Sequence, residues 1–135
     1  MRLEDLTVAV PTKNEAANIA GFLASLDPRL TLVVVDASTD DTPEQIARLR
    51  PERTLVVRDS GTIPAARQIA LEACTTEWIL FTDADMAFGE GYWAEWERLA
   101  LGPAVGAVQG AKLSADDQFR TYYRLFSFEI GRAHV

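Results

Sequence analysis

Leu32-Val-Val-Val-Asp-Ala-Ser-Thr-Asp-Asp-Thr-Pro-Glu-Gln45 decides the fold. Leu32–Val35 is a short apolar run rich in β-branched residues, suited to a buried strand. Asp36 to Asp41 supply turn formers whose side chains bond nearby backbone. Thr42-Pro43-Glu44-Gln45 then reads as a capping box, with proline at the first helical position, where its missing N–H costs nothing. The helix so opened runs to about Arg50, before Pro51. A strand, a polar turn and a capped helix form half of a crossover unit.

The same alternation extends in both directions. Leu6–Val10, Leu55–Val57 and Ile79–Phe81 read as further strands, apolar almost throughout and therefore covered on both faces. Ala104–Gln109 is a fifth candidate, poorer because of its alanine and glycine. Asn14–Leu26 carries Ile19, Phe22, Leu23 and Leu26 as a helical stripe. Pro64–Cys74 and Tyr92–Leu101 are the other helices, the last stopped by Gly102-Pro103. Strands alternating with helices imply a single α/β domain over residues 1–135. Its sheet is mostly parallel and Rossmann-like, with helices on both faces.

The chain's 135 residues, 48% hydrophobic, suffice for one core. Thirteen Lys and Arg against 20 Asp and Glu give a net charge of −7, which argues against nucleic acid as a partner. No run approaches the roughly 20 apolar residues of a membrane span. The opening MRLEDLTVAV carries acids where a secretion signal needs bases, and Cys74 is the one cysteine. Both features lead to the expectation of a reducing cytosol.

In open parallel sheets ligands gather beyond the carboxyl ends of the strands. The residues there are Pro11-Thr-Lys-Asn-Glu15, Asp36-Ala-Ser-Thr-Asp-Asp41, Asp59-Ser-Gly-Thr62 and Asp83-Ala-Asp85. Asp83 and Asp85, two apart in an extended segment, point to one side of the chain. They can serve a hard cation such as Mg²⁺ or Mn²⁺, which takes carboxylates together with water and phosphate oxygens. They can equally be two acids in a solvated turn. Asp36 is either a ligand contact or a turn former; Asp40 and Asp41 read as turn and cap residues. Arg67 lies early in its helix, where the dipole disfavours a cation, and so calls for an anion. Lys13 is either a phosphate contact or merely exposed. Gly61 allows a close backbone approach or a tight turn.

PTKNE, VVVDASTDDT, SGTIPAARQIAL and ILFTDADM, in this order and spacing, resemble a family 2 glycosyltransferase of the GT-A fold, over roughly residues 6 to 112. The resemblance implies a metal-dependent, inverting transferase that takes a nucleotide-diphosphate sugar, commonly a UDP-sugar, to an acceptor the sequence does not name. It assigns Pro11, Thr12 and Glu15 to the nucleoside loop, and Asp36 to a hydrogen bond with the base. Arg67 falls beside the base and phosphates. Asp83 and Asp85 become the acids of the DxD motif around Ala84, Asp83 near ribose and metal and Asp85 on the metal.

Inverting transfer needs a general base for the acceptor hydroxyl. In the family that acid follows the DxD at some distance, which puts it and the acceptor-binding segment beyond Val135. Asp116 and Asp117 read instead as first-turn acids of a helix whose Phe119, Tyr122, Tyr123, Phe126 and Ile130 form a wide apolar face. That face suits a second copy or, with Arg120, Arg124 and Arg132, the inner surface of a membrane. His134 has nothing to pin it for catalysis. Trp93 and Trp96 read as packing, although Trp93 follows the acid loop closely enough to serve as a sugar platform instead, and Cys74 reads as a small buried hydrophobe. A non-catalytic nucleotide-sugar-binding or dimerisation module is the alternative. A phosphatase of the haloacid dehalogenase type also uses Asp-x-Asp, but after its first strand, whereas this pair follows the fourth.

Overall fold

The computed structural model describes residues 1–108 and 110. Residues 1–99 form one compact unit, and a second begins at Ala100. The first holds a four-stranded parallel sheet of β1 (Leu6–Thr12), β2 (Thr31–Asp36), β3 (Thr54–Arg58) and β4 (Trp78–Phe81), in the spatial order β3-β2-β1-β4. The helices are α1 (Ile19–Ala24), α2 (Thr42–Leu49), α3 (Ile63–Ala73) and α4 (Tyr92–Arg98).

The order reverses direction once. From β1 the chain steps outward to β2 and β3, then returns to place β4 on the other side of β1. Right-handed crossovers put helices on opposite faces when the direction reverses. Accordingly α1 and α2 cover one face, where Val8, Val10, Leu32 and Val34 pack with Ile19, Phe22 and Ile46. The other face carries α3, whose Ala66 and Ala70 lie on Ala9, Val33 and Val35. The small alanines let α3 approach closely, and they explain why a helix with so little apolar bulk can cover the sheet. β1 and β2 are buried at every residue but Pro11 and Thr31, which are half-buried, while the edge strands leave Leu55 and Phe81 exposed.

Every strand is longer than its apolar run, and the added residues matter: Thr12, Asp36 and Arg58 lie within the ladder. Pro11 is tolerated inside central β1 because Thr12 bonds toward β2, so the proline nitrogen faces the side on which β4 has ended at the level of Ala9.

Three helix starts differ from the sequence expectation. α1 begins at Ile19, not Asn14. Asn14 adopts a left-handed φ of 56°, and the amides of Glu15 and Ala16 donate to Thr42 Oγ1 and Asp40 Oδ2. The N–H groups of the missing first turn are thus satisfied by the loop after β2. The capping box at Thr42 does not form. Asp41 is the N-cap, and Thr42 Oγ1 turns to Glu15 and Asp40, while Gln45 Nε2 donates to Asp41 Oδ1 and Ala16 O. α3 starts one residue before Pro64, capped by Thr62 Oγ1, which accepts from Ala65 N at 3.4 Å. Its helix ends at Ala73, and α2 and α4 end at Leu49 and Arg98, short of Arg50 and Leu101.

The proposed fifth strand is not formed: residues 104–108 have no strand, and Val105 N donates to Gly102 O in a turn. Their alanines and glycine offer little to bury, and no partner strand is found for them among the described residues. Gln109, Asp116, Asp117, the Phe119–Ile130 helix with its arginines, and His134 lie outside the described residues. No described helix is long and apolar enough to cross a membrane.

Candidate functional site

The carboxyl ends of β1 and β4 flank the point where the strand order reverses, and a crevice opens there in sheets of this topology. Thr12 to Glu15 leave β1 at this edge, and Asp83-Ala84-Asp85 leave β4. Asp83 is half exposed, Asp85 exposed, and Ala84 buried in the core between them. The alternation is physical: Ala84 anchors the turn against the apolar cluster and holds its acidic neighbours out. Arg67, on α3, reaches Asp83 with Nη2 at 3.7 Å from Oδ1, both side chains 48% exposed. Arg67, the fifth residue of α3 and so past its first turn, thus has an anion partner, and the anion is the first acid of the pair. Among the described residues no cluster of three or more acids, histidines or cysteines could by itself enclose a metal.

Thr12, Asp36 and Arg58 form a row across β1, β2 and β3 in register. Asp36 is 0% exposed. Its Oδ1 accepts from Thr12 Oγ1 at 2.6 Å and from Ser38 Oγ at 2.7 Å; its Oδ2 accepts from Ser38 N at 3.3 Å and is ion-paired with Arg58. Arg58 belongs to none of the motifs legible in the sequence. The available signal was a basic residue closing β3 level with an acid closing β2, legible only once the register is known.

Several strand-end groups hold the loops to one another. Asn14 Oδ1 accepts from Thr39 N at 2.8 Å and Asp40 N at 3.2 Å, and Ser38 Oγ accepts from Asn14 N at 2.8 Å. Asp40 Oδ1 accepts from Thr42 Oγ1 at 2.5 Å, a bond that holds the Asp40 carboxyl below the usual carboxylate range. Glu15 is half-buried and accepts from Asn18 Nδ2 at 2.9 Å; Pro11 is half-buried and Lys13 exposed. Gly61 makes its close approach to Asp59, whose Oδ2 accepts from Gly61 N at 2.9 Å.

The remaining candidates serve packing. Trp96 is buried, and Trp93 donates from Nε1 to Ser25 O at 2.8 Å while its ring lies 4.6 Å from that of Phe88. Cys74 is partly buried. Burial alone would raise its thiol pKa, but hydrogen bonding with Thr76 and Thr7 outweighs that and lowers it.

The fold has relatives among solved structures. A crystal structure of S. aureus TarS 1-349 matches with a TM-score of 0.62 and 27% identity, over 69% of this chain and 31% of that one. The structure of S. aureus TarS 1-349 in complex with UDP matches at 0.61 and 25%, again over 69% and 31%. A longer S. aureus TarS structure matches at 0.61 and 25%, over 69% of this chain and 19% of that one. This chain therefore spans less than a third of the length of each. No curated protein sequence matches it. Its parallel sheet with helices on both faces is that of GT-A glycosyltransferases. Residues 7–132 match glycosyl transferase family 2, and on that extent this chain belongs to the family.

Proposed function

We propose that the chain is the donor-binding part of an inverting, metal-dependent glycosyltransferase that takes a UDP-sugar across the carboxyl edge of its sheet. The observation that carries this reading is the meeting of Arg67 and Asp83 beside the switch point. An exposed cation and an exposed pair of acids at one strand end suit a ligand that brings both negative charge and a counter-cation. The family membership and the UDP complex of the TarS relative support it.

The donor set fits Mg²⁺ or Mn²⁺. Asp83 and Asp85 supply two carboxylates and no further protein ligand, which is the sparse shell such ions take when phosphates and water complete it. Bound there, the ion would neutralise the diphosphate as it departs. Arg67 would turn from Asp83 to the phosphates, where a guanidinium forms bidentate contacts. The loop from Pro11 to Glu15, fixed to the β2 loop through Asn14 and Thr42, would present a rigid wall to the nucleoside. Asp36 would take the base. The acid that deprotonates the acceptor is assigned to no described residue, and the acceptor stays open. Cys74 without a disulfide partner suits a reducing cytosol. Among the residues outside the described set, the aromatic segment 119–130 is a candidate contact for a second copy or the membrane face.

Calorimetry with UDP, with and without Mn²⁺, tests the reading on the chain and on Asp85→Ala. Mn²⁺ should strengthen UDP binding in the unsubstituted chain and do nothing in the variant, whose fold is kept. Equal affinities in all four titrations would count against the site. Release of UDP from a UDP-sugar above background distinguishes a catalytic domain from a binding module.

A further inference from the structure

A carboxylate offers about four acceptor positions, and those of Asp36 are all in use. Thr12 Oγ1 and Ser38 Oγ occupy Oδ1; Ser38 N and Arg58 occupy Oδ2. With the residue 0% exposed, a further donor has no entry until one of these groups leaves. Three of the four are fixed. Thr12 lies in the central strand and is buried. Ser38 is buried too, and its hydroxyl is held in place by Asn14 N at 2.8 Å. The amide of Ser38 belongs to the same turn. Arg58 differs: it ends an edge strand, its side chain is 57% exposed, and its other anchor is a single bond from Nη2 to Ser38 O at 2.7 Å.

We infer that Arg58 is a latch on the base-recognition carboxylate. In the ligand-free chain its guanidinium fills the acceptor position that the donor's base uses, and it swings into solvent as the base enters. The inference rests on the proposed function, with Asp36 at the base. It deepens that reading by limiting what can be recognised. Departure of Arg58 frees one acceptor position on Oδ2, which matches the single N–H of a uracil imide edge. Guanine presents two N–H donors side by side and would need a second partner to leave, and the second partner is backbone or buried hydroxyl. Long reach, charge and exposure make Arg58 the side chain able to move at low cost, since water can solvate it as soon as it lets go.

The test compares UDP with 3-methyl-UDP, which lacks the N3–H, by calorimetry in Mn²⁺. In the unsubstituted chain the two should differ little: 3-methyl-UDP has no N–H to exchange and leaves Arg58 on Asp36, whereas UDP gives up that pair for its own hydrogen bond. In Arg58→Ala the acceptor is already open, and preference for UDP over the methylated ligand should rise about tenfold or more, the worth of one hydrogen bond to a charged group. Arg58→Met keeps the apolar stem and gives the same readout should the alanine variant fail to fold. An unchanged preference in the folded variants overturns the latch while leaving the nucleotide reading in place. If neither ligand binds the unsubstituted chain, the nucleotide reading fails and takes the latch with it. A crystal structure of the unsubstituted chain with UDP and Mn²⁺ needs no variant. Uracil N3 should lie on Asp36 with Arg58 withdrawn; bound uracil with Arg58 still paired to Asp36 overturns the latch.

Discussion

Asp36 and Arg58 stand level at the ends of β2 and β3, joined as an ion pair in which the acid is wholly buried and the base 57% exposed. The acid is the hub: β1 reaches it through Thr12, the β2 loop through Ser38, and β3 through Arg58. Asp36→Asn puts an amide N–H₂ against hydroxyls that now donate to a carboxylate, and leaves Arg58 without its anion. The expected cost is about 2–4 kcal/mol. Urea unfolding checks it, and a loss within error of zero would remove the hub from the account.

The Arg67–Asp83 pair makes a contrasting case. Both partners are half exposed, and such pairs contribute about 0–1 kcal/mol. Arg67→Ala should therefore leave the unfolding midpoint nearly unchanged. UDP affinity should fall about tenfold, through the loss of a charged contact to phosphate. Comparable losses of stability and affinity would mean that Arg67 holds the fold rather than the ligand.

Gly61→Ala tests the β3–α3 loop. A methyl group there would come 2.7 Å from Asp59 Oδ2, the oxygen that accepts from Gly61 N. The Asp59 side chain can rotate away, but the hydrogen bond is then lost, at about 0.5–1.5 kcal/mol. Adding Asp59→Ala should make the glycine substitution nearly neutral, a non-additivity that a double-mutant cycle measures.

Acid should weaken the seam between the β1 and β2 loops. The folded Asp40 carboxyl titrates below its ordinary value because Thr42 Oγ1 bonds it, so the folded chain binds fewer protons there than the unfolded one. That stabilisation is fully present above the ordinary carboxylate range, near pH 4, and is lost as pH falls through the depressed folded value. Asp27, held low by Arg29, acts in the same direction. Asp40→Asn should therefore flatten part, not all, of the decline in melting temperature between pH 6 and pH 3. An identical decline in both proteins would contradict the Thr42 bond.

Phe22 anchors α1 on the sheet at 1% exposure, its ring 6.3 Å from that of Phe88. Phe22→Ala should cost about 3–5 kcal/mol in chemical unfolding, since the packed face cannot close over the space. A value below about 1 kcal/mol would mean that α1 and the segment around Phe88 collapse onto one another.

The sequence by itself determined the local alternation: apolar runs for β1 to β4, helices between them, and polar groups and acids at each strand end. These are properties of a few adjacent residues, set by side-chain period and backbone preference, and the family motifs lie within the same short stretches. Tertiary structure decided what those groups do. Thr42 looks like a capping residue in its own neighbourhood, yet its hydroxyl serves the amide of Glu15, from another loop. Asn14 looks like a helix start, yet it takes a left-handed turn to receive the amides of Thr39 and Asp40. Arg58 carries no local signal at all. Its role comes from the parallel register that sets it beside Asp36, and a register is fixed by pairing between strands distant in the chain.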